Sequence, residues 1–427
     1  PSHLELPREV LIAVMKKHQR YFPIEKDNKL LPYFITFANK SPRDEHVSAA
    51  LIVEGNEHVI RARFSDAAFF VREDLKRPLE AYLPRLRTLA FQADLGSMWD
   101  KSQRICRLVE RLGEQLGLNP EVRSVARRAA ELCKADLVTK MVVEMTSLQG
   151  VMGRYYALRS GESDSVATAI FEHYLPRFAG DVSPTTLAGL VVGLADRLDT
   201  LAGLFALGLA PTGAKDPFAQ RRAALGLVQN LIAWKMDFDL KKALQYATEL
   251  LPVAMSEENR TACLSFIVDR LYHFLLEKGY PYDVLQAVLA VQGHNPARAI
   301  QAVEELSRWV QREDWRNILP AYARCLRIIR HAAVSMDKAV DPNLFVEPEE
   351  QLLYSALLKA EEAAVPPVSV DAFLRAFLPM IPAINDFFDR VLVMSEDERL
   401  RENRLALMQR IVNLADGIAD LSKLEGF

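Results

Sequence analysis

Two aspartates occupy helical positions where a packed helix normally carries apolar or small residues. The segment "RRAAELCKADLVTKMVVEM" (127–145) predicts an amphipathic helix in which Asp136 shares the apolar face with Leu132. In "GLADRLDTLAG", Asp196 falls on the small-residue side of a second helix, opposite Leu198. Carboxylates that converge inside a protein can bind a metal ion, which in turn can activate water for hydrolysis. Both acids are therefore candidate functional residues.

One alternative is a metal-dependent phosphohydrolase of the HD type. Its site uses a histidine, a His-Asp pair and a distant aspartate on helices to bind a metal that activates water. Here the sequence "KAD", ending at Asp136, stands where the His-Asp pair would be. Between His58 and His173 the chain contains no histidine, so we expect the imidazoles of such a site to be absent.

The favoured interpretation is that Asp136 and Asp196 are structural. A buried carboxylate is tolerated when helix N–H groups, hydroxyls or a basic side chain satisfy it. Lys134 and Arg197 are the nearest basic candidates in sequence. We therefore predict no bound metal.

Nucleophilic catalysis is not indicated by any motif. The chain has no G-x-S-x-G sequence, and its eight histidines are scattered without a signature neighbour. The four cysteines lie far apart, without the spacing of a zinc site or a disulfide framework. We assign no catalytic residue.

Composition places the chain among ordinary globular proteins. It has 427 residues, half of them hydrophobic, and a formal net charge of −3, so nucleic acid would have to bind a local basic patch. No run of eighteen apolar residues and no secretory leader are present. These features predict a cytoplasmic protein without a membrane partner. The chain begins at Pro1 rather than at methionine, and we expect a fragment that lacks an N-terminal part.

The elements that would position these residues are mostly helical. "PREVLIAVMKKHQRYF" predicts a helix, and "LPYFITFAN" and "HVIRARF" predict strands, so residues 1–65 form a small α+β region. From residue 66 to residue 427 the apolar period is close to 3.6, with breaks at Pro, Gly and Asn signals. The predicted fold class is mainly α.

A helix near the C-terminus carries a basic side. Ser395 and Glu398 have the spacing of a capping box, which predicts a helix start at Glu396. The candidate tRNA-binding residues on this helix are Arg399, Arg401, Asn403 and Arg404. Guanidinium groups pair with phosphates and stack on unpaired bases. Intrahelical ion pairs with the neighbouring glutamates are the alternative.

A second basic segment is "PTGAKDPFAQRR". Asp216 is placed to cap a helix with Pro217 at its first position. Lys215, Arg221 and Arg222 flank that helix start, where anions are favoured, and are further candidates for binding tRNA. The glycine and lysine spacing of a nucleotide-binding P-loop is absent. A turn with solvated basic residues is the alternative.

Several long motifs occur in the order found in one enzyme family. They are "GNEHVIRARFSDAAFFVREDLKRPLE", "LGSMWDKSQRI", "ADLVTKMVVEMTSLQGVMGRYYA", "LADRLDTLAGLFALGLAPTGAKDPFAQRRAALG" and "INDFFDRVLVMSEDERLRENRLALMQRIVNLADGIADLSKL". Together they resemble the β subunit of the two-subunit bacterial glycyl-tRNA synthetase across nearly the whole chain.

The resemblance implies four regions. These are the α+β region 1–65, a degenerate HD-like domain 66–235, a helical linker 236–318 and a helical anticodon-binding domain 319–427, the last similar to that of arginyl-tRNA synthetase. It also implies that Asp136 and Asp196 are vestiges of a metal site without hydrolase chemistry.

The resemblance further implies how the work is divided. Partners would be tRNA(Gly) and a separate α subunit, which would hold ATP and Mg²⁺ and carry out aminoacylation, so this chain would need no cofactor and would bind no DNA. Three hypotheses remain: a tRNA-binding subunit of a ligase, an HD-type phosphohydrolase, and a helical scaffold without an RNA role.

Overall fold

The fold was obtained as a computed structural model, which describes residues 2–27, 29–38, 49–178, 180–332, 339–363 and 368–427. The chain divides into two compact units. The first comprises Pro1–Asn230 with Lys242–Cys263, and the second comprises Leu231–Lys241 with Leu264–Phe427. The predicted fold class, mainly α with a small mixed region at the N-terminus, is confirmed. The finer four-part division stays a prediction.

Within the N-terminal region one predicted strand is present and one is wrong. Helix α1 (Arg8–Gln19) is followed by an antiparallel hairpin of β1 (Phe22–Lys26) and β2 (Lys29–Ile35). The predicted strand at 58–64 instead lies inside helix α2 (Ala49–Asp74).

The burial pattern of α2 explains this error. Its buried residues are Ile60, Ala67, Val71 and Asp74, spaced by seven, four and three positions. That spacing follows a helical stripe, which overrides the local β-branched content.

A short antiparallel pair, β3 (Ala90–Gln92) and β4 (Gly96–Ser97), precedes the main helical region. The helices that follow up to residue 233 are α3 (Met98–Gln115), α4 (Pro120–Leu132), α5 (Lys140–Glu144), α6 (Val151–Arg159), α7 (Asp164–Glu172), α8 (Leu187–Ala206) and α9 (Gln220–Ala233). Helices α3, α4, α7 and α8 pack on one another. Nearly all of α8 is buried, as expected for a helix that is apolar on all sides.

The predicted helix 127–145 is interrupted. Helix α4 ends at Leu132, a 3₁₀ turn spans Ala135–Val138, and α5 begins at Lys140. The Thr139 hydroxyl donates to the Asp136 carbonyl at 2.7 Å, which takes that carbonyl out of a helical ladder. Periodicity alone did not reveal this side-chain competition.

The remaining helices are α10 (Leu240–Glu249), α11 (Glu257–Glu277), α12 (Tyr282–Gln292), α13 (Pro296–Val310), α14 (Trp315–Ala332), α15 (Pro348–Ala363), α16 (Val370–Phe377), α17 (Ile381–Arg390) and α18 (Glu398–Val412). In the second unit, α18 packs on α14, and α15 packs on α17. Among the helices of the described residues, none has the length and apolar character needed to span a membrane.

An ion pair joins α15 to α18 inside the second unit. The Arg404 guanidinium donates to both carboxylate oxygens of Glu350, at 2.9 and 3.2 Å, and to the Leu392 carbonyl at 2.9 Å. Arg404 is 6% exposed and Glu350 is fully buried. The expectation that Arg404 faces RNA is therefore wrong, because its donors are used in packing.

Asn403 is also a packing residue. Its amide accepts from the Asp341 N–H at 2.8 Å and donates to the Asp341 carbonyl at 3.0 Å, while the side chain is buried. Both hydrogen-bonding ends of the amide are thus occupied by one backbone residue. Asn403 fixes the chain before α15 against α18, which corrects its assignment to the RNA-facing side.

We predict that Arg404→Ala destabilises the second unit by about 3–5 kcal/mol, since it leaves the buried Glu350 carboxylate without its cation. Urea unfolding of the whole chain, followed by hydrogen exchange of α18, measures this effect. The exposed Arg399→Ala is the matched control and should change stability by no more than about 0.5 kcal/mol. Equal effects of the two variants would contradict the packing role.

Candidate functional site

The start of α18 differs from the predicted capping box. The helix begins at Glu398, and the Asp397 carboxylate is its cap, accepting from the N–H groups of Arg399 at 2.9 Å and Leu400 at 3.2 Å. Ser395 instead accepts from the Asp397 N–H one turn earlier. A single carboxylate oxygen of Asp397, Oδ1, accepts both bonds, so the aspartate and not the serine is the cap.

Two of the four candidates on this helix remain accessible in part. Arg399 is exposed, and its guanidinium makes no hydrogen bond or ion pair within the part of the chain that the structure describes. Arg401 is half-buried and donates to the Ser395 carbonyl at 3.1 Å. Leu392 and Met394, in the loop before the helix, are 71% and 47% exposed. The stretch that leads into this helix thus carries an exposed cation and exposed apolar side chains.

The second basic segment forms a structured turn. Asp216 accepts from the N–H groups of Gln220 at 2.8 Å and Arg221 at 2.9 Å. Helix α9 begins at Gln220, so the prediction that Pro217 is its first residue is wrong. The cause is Ala219, whose positive φ of 55° breaks any helix between the proline and Gln220.

The three basic candidates of that turn have different environments. Arg221 donates to the Gly213 carbonyl at 2.6 Å, which closes the loop. Lys215 and Arg222 are exposed. Their role in tRNA binding stays a prediction.

Asp136 lies in the core of the first unit. It is fully buried, and its Oδ2 accepts from the N–H groups of Gly150 at 2.6 Å and Gly153 at 3.0 Å. Its Oδ1 is buried and has no hydrogen-bond partner among the described residues. Burial raises the pKa of Asp136 to about 6, although the two backbone N–H groups oppose this shift. The inward orientation predicted from the sequence is confirmed.

Asp196 meets two lysines and, through one of them, a histidine. Lys134 Nζ lies 2.8 Å from Asp196 Oδ2 and 2.9 Å from His173 Nε2. Lys101 Nζ lies 3.0 Å from Asp196 Oδ1. The expectation that no imidazole reaches this place is wrong, because α7 delivers His173 from outside the interval that the sequence argument considered.

Three further buried charges were missed by the sequence analysis. Asp199 is 2% exposed, and it accepts from Lys101 at 3.0 Å and from Arg104 Nε at 2.6 Å. A signal was available in the sequence. Lys101 and Arg104 are three residues apart on α3, as are Asp196 and Asp199 on α8, so two helices could pair them in register. We call Lys101, Arg104, Lys134, Asp136, His173, Asp196 and Asp199 the buried charge cluster.

Arg197 is not a partner of either acid. Its guanidinium donates to the backbone carbonyls of His173, Leu175 and Gly193, at 2.8, 2.8 and 3.0 Å. Burial lowers the pKa of Arg197 to about 10. Arg197 therefore holds the end of α7 against α8. Of the two basic residues named in the sequence analysis, Lys134 is the one that pairs with Asp196.

Cations also hold the Asp196 carboxylate ionised. The ammonium groups of Lys101 and Lys134 keep the pKa of Asp196 well below its usual value, against the opposing effect of burial. Across the described ranges of the chain, His, Cys, Asp and Glu side chains form no group of three or more that could hold a metal ion. Lysines and an arginine provide the positive charge at this place.

We predict a pH-dependent difference in stability between the wild-type chain and Asp136→Asn. The folded pKa is about 6 and the unfolded pKa about 3.9, so between these values only the folded chain keeps the proton. The wild type should therefore lose stability relative to the variant as pH rises from about 4 to about 6, by up to about 1.4 kcal/mol per pH unit.

Urea unfolding of both proteins between about pH 4 and about pH 8 measures this difference. His173 titrates in both proteins, so its contribution cancels to first order. A difference that stays constant with pH would contradict the raised pKa of Asp136.

Comparison with known proteins identifies both parts of the chain. Residues 1–290 match the family model described as glycyl-tRNA synthetase beta subunit. Residues 318–420 match the DALR anticodon binding domain. The second match contains α18 and its candidate residues, and the first contains the buried charge cluster.

Curated relatives agree with these matches. A glycine–tRNA ligase beta subunit of Moorella thermoacetica is 42% identical, with 99% of this chain and 62% of that protein aligned. One of Hahella chejuensis is 40% identical over 99% of this chain and 61% of that protein. A protein of Arabidopsis thaliana named glycine–tRNA ligase, chloroplastic/mitochondrial 2, is 38% identical. The alignment covers this whole chain and 40% of the Arabidopsis protein.

The chain thus spans about three fifths of the length of these bacterial relatives. The order of motifs, the helical fold and both matches point the same way, and the chain belongs to the glycyl-tRNA synthetase beta subunit family.

Proposed function

We propose that this chain binds tRNA(Gly) through its C-terminal helical domain, as the tRNA-binding part of a glycine–tRNA ligase. The observation that carries the proposal is the match of residues 318–420 to an anticodon-binding domain. Packing of α14 with α18, and the Arg404–Glu350 ion pair between α15 and α18, hold the helices of this region together. Such a domain can present a fixed surface to an RNA loop.

Arg399 is the residue that we propose for RNA contact on this surface. Its side chain is exposed at the first turn of α18 and makes no ion pair within the described residues, so its charge is available to a phosphate. The exposed side chains of Leu392 and Met394, a few residues earlier in the chain, offer apolar area. Proteins that read unpaired RNA bases combine cations for the backbone with flat or apolar surfaces for the bases. Arg401 is a weaker candidate, because packing already uses its guanidinium.

Aminoacylation itself is proposed to need a second subunit. The bacterial relatives are named beta subunits, and this chain spans about three fifths of their length. We propose an α subunit as partner, with ATP and Mg²⁺ bound there, and the cytoplasm as compartment. The HD-type hydrolase is the less favoured hypothesis, because a lysine lies between two of the side chains that would bind its metal.

We predict that Arg399→Glu weakens tRNA(Gly) binding about tenfold and leaves helix content unchanged. Loss of one phosphate contact should also flatten the dependence of log K on log salt by roughly 0.7. Titration of labelled tRNA(Gly) at two salt concentrations measures both effects.

Arg308→Glu is the matched control. Arg308 is exposed on α13, outside the anticodon-binding match, so its reversal changes the net charge equally without changing the proposed surface. An anticodon-swapped tRNA separates reading of bases from grip on the backbone, since only base contacts discriminate the two. Equal affinities of the Arg399 variant, the Arg308 variant and the wild type would refute the proposed contact.

A second prediction concerns the division of labour. The isolated chain should bind tRNA but should not exchange pyrophosphate into ATP in the presence of glycine, because no nucleotide-binding motif is present in the sequence. The α subunit of a bacterial relative, assayed with a full-length β subunit, provides the positive control. Exchange by this chain alone would show that the proposed division is wrong.

A further inference from the structure

A cleft in the first unit lies between the start of α1, helix α6 and the segment that follows α7. Its volume is about 770 Å³, which is within the range of sites that hold small organic ligands. Most of its lining is apolar, and two of the lining side chains, Phe178 and Val182, are 63% and 65% exposed. The guanidinium groups of Arg154 and Arg177 also line it. An apolar cleft with a few charged groups is the usual form of a ligand site.

Arg177 is a half-buried cation that lacks a carboxylate partner. One of its terminal nitrogens donates to the Gln149 carbonyl at 3.2 Å, and the guanidinium carbon lies 5.0 Å from the centroid of the Phe171 ring. Its Nε–H is buried and has no acceptor within the described ranges of the chain. Burial lowers the pKa of Arg177, which shows that the charge has lost hydration.

Other arginines withdrawn from water in this unit are satisfied by the protein. Arg128 donates to the carboxylates of three glutamates, and Arg197 donates to backbone carbonyls. The acid nearest to Arg177 in sequence is Asp181, whose two carboxylate oxygens accept from the backbone N–H groups of Arg177 and Val182, each at 2.9 Å. A desolvated cation without such a partner costs free energy. An anion in the cleft would offset that cost.

Arg154 provides a second available cation in the cleft. It is exposed on α6 and makes no hydrogen bond or ion pair with any residue that the structure describes. Arg8 is not available, because it donates to both carboxylate oxygens of Glu25, at 2.6 and 2.7 Å. Glu9 also lines the cleft, but it is exposed, so solvent screens its charge. Arg154 and Arg177 are therefore the groups that an anion would meet.

We propose that this cleft binds a nucleoside phosphate, with the phosphate on Arg154 and Arg177 and the base and sugar against the apolar lining. Guanidinium groups pair with phosphate oxygens bidentately, and bases stack on aromatic rings such as those of Phe178 and Tyr155. Inorganic phosphate alone would leave the apolar walls in water. The same chemistry is offered by a free mononucleotide and by an unpaired nucleotide of an RNA strand. The site lies outside the anticodon-binding match, so it does not depend on the function proposed above.

Isothermal titration calorimetry of the whole chain with AMP tests the proposal. One AMP should bind per chain, about tenfold more tightly than adenosine or inorganic phosphate does, because each of these lacks one half of the recognised group. AMP should also raise the melting temperature of the chain.

Three variants test the named contacts. Arg177→Gln and Arg154→Gln should each lower the affinity for AMP about tenfold. Phe178→Ala should lower the affinity for AMP and leave that for inorganic phosphate unchanged. The matched control is Arg72→Gln, since Arg72 is exposed on α2 and does not line the cleft. It should bind AMP as the wild type does.

The stability of Arg177→Gln separates binding from packing. Without ligand this variant should melt no lower than the wild type, because it removes a desolvated cation. A lower melting temperature together with an unchanged affinity for AMP would show that the guanidinium only supports the fold, and would overturn the proposal.

A single-stranded oligoadenylate of five nucleotides distinguishes the two sources of the ligand. Tighter binding of this strand than of AMP, weakened by Arg177→Gln, would assign the site to RNA. Binding of AMP as tightly as the strand, or more tightly, would assign it to a free mononucleotide. Absence of binding by both probes at millimolar concentration would overturn the proposal, as would AMP binding that neither arginine variant weakens.

Discussion

An ionised group inside a helical core must meet opposite charge or hydrogen-bond donors there, and this requirement determines the organisation of residues 98–206. Charged side chains from α3, the end of α4 and α8 meet in the interior, where unpaired charge would cost several kcal/mol each. The helices that supply these groups must keep their alignment with one another, since a shift of one residue along a helix would rotate its charged side chains away from their partners. The break between α4 and α5 belongs to the same constraint, because it places Asp136 beside the backbone N–H groups that bind its Oδ2.

The two units offer different kinds of chemistry. In the first, the charged side chains of the cluster face one another, and all except the partly exposed Asp196 are buried, so their charges are used inside the fold. In the second, Asn403 and Arg404 serve the packing of α18. Arg399, which lies four residues before Asn403, is exposed to solvent. Some polar side chains of α18 therefore bind neighbouring parts of the second unit, and others on the same helix face solvent. This separation lets the exposed side of the helix change without loss of the fold.

Sequence periodicity predicted the class of fold, which depends on spacing along each helix. It also predicted the inward orientation of Asp136, although the single helix assumed for that residue is interrupted between Leu132 and Lys140. It failed where the deciding partner is distant in sequence. Residues 58–64 have strand-like composition, but the buried stripe of α2 extends beyond them. The partners of His173 and Asp199 could not be predicted for the same reason, as Lys134 and Lys101 are 39 and 98 residues away. Arg404 could not be told from Arg399 by type or spacing, since only the position of Glu350 distinguishes them.

The position of Lys134 has a consequence for the life of the protein in the cell. A metal ion is held by an equilibrium, so it is lost to chelators, exchanged for a competing ion, or missing when supply is short. A cation joined to the chain by covalent bonds has no dissociation constant, and it is present as soon as residue 134 has been synthesised. The charge that pairs with Asp196 therefore belongs to the chain itself, and the two groups meet as soon as the segment after α4 packs on α8.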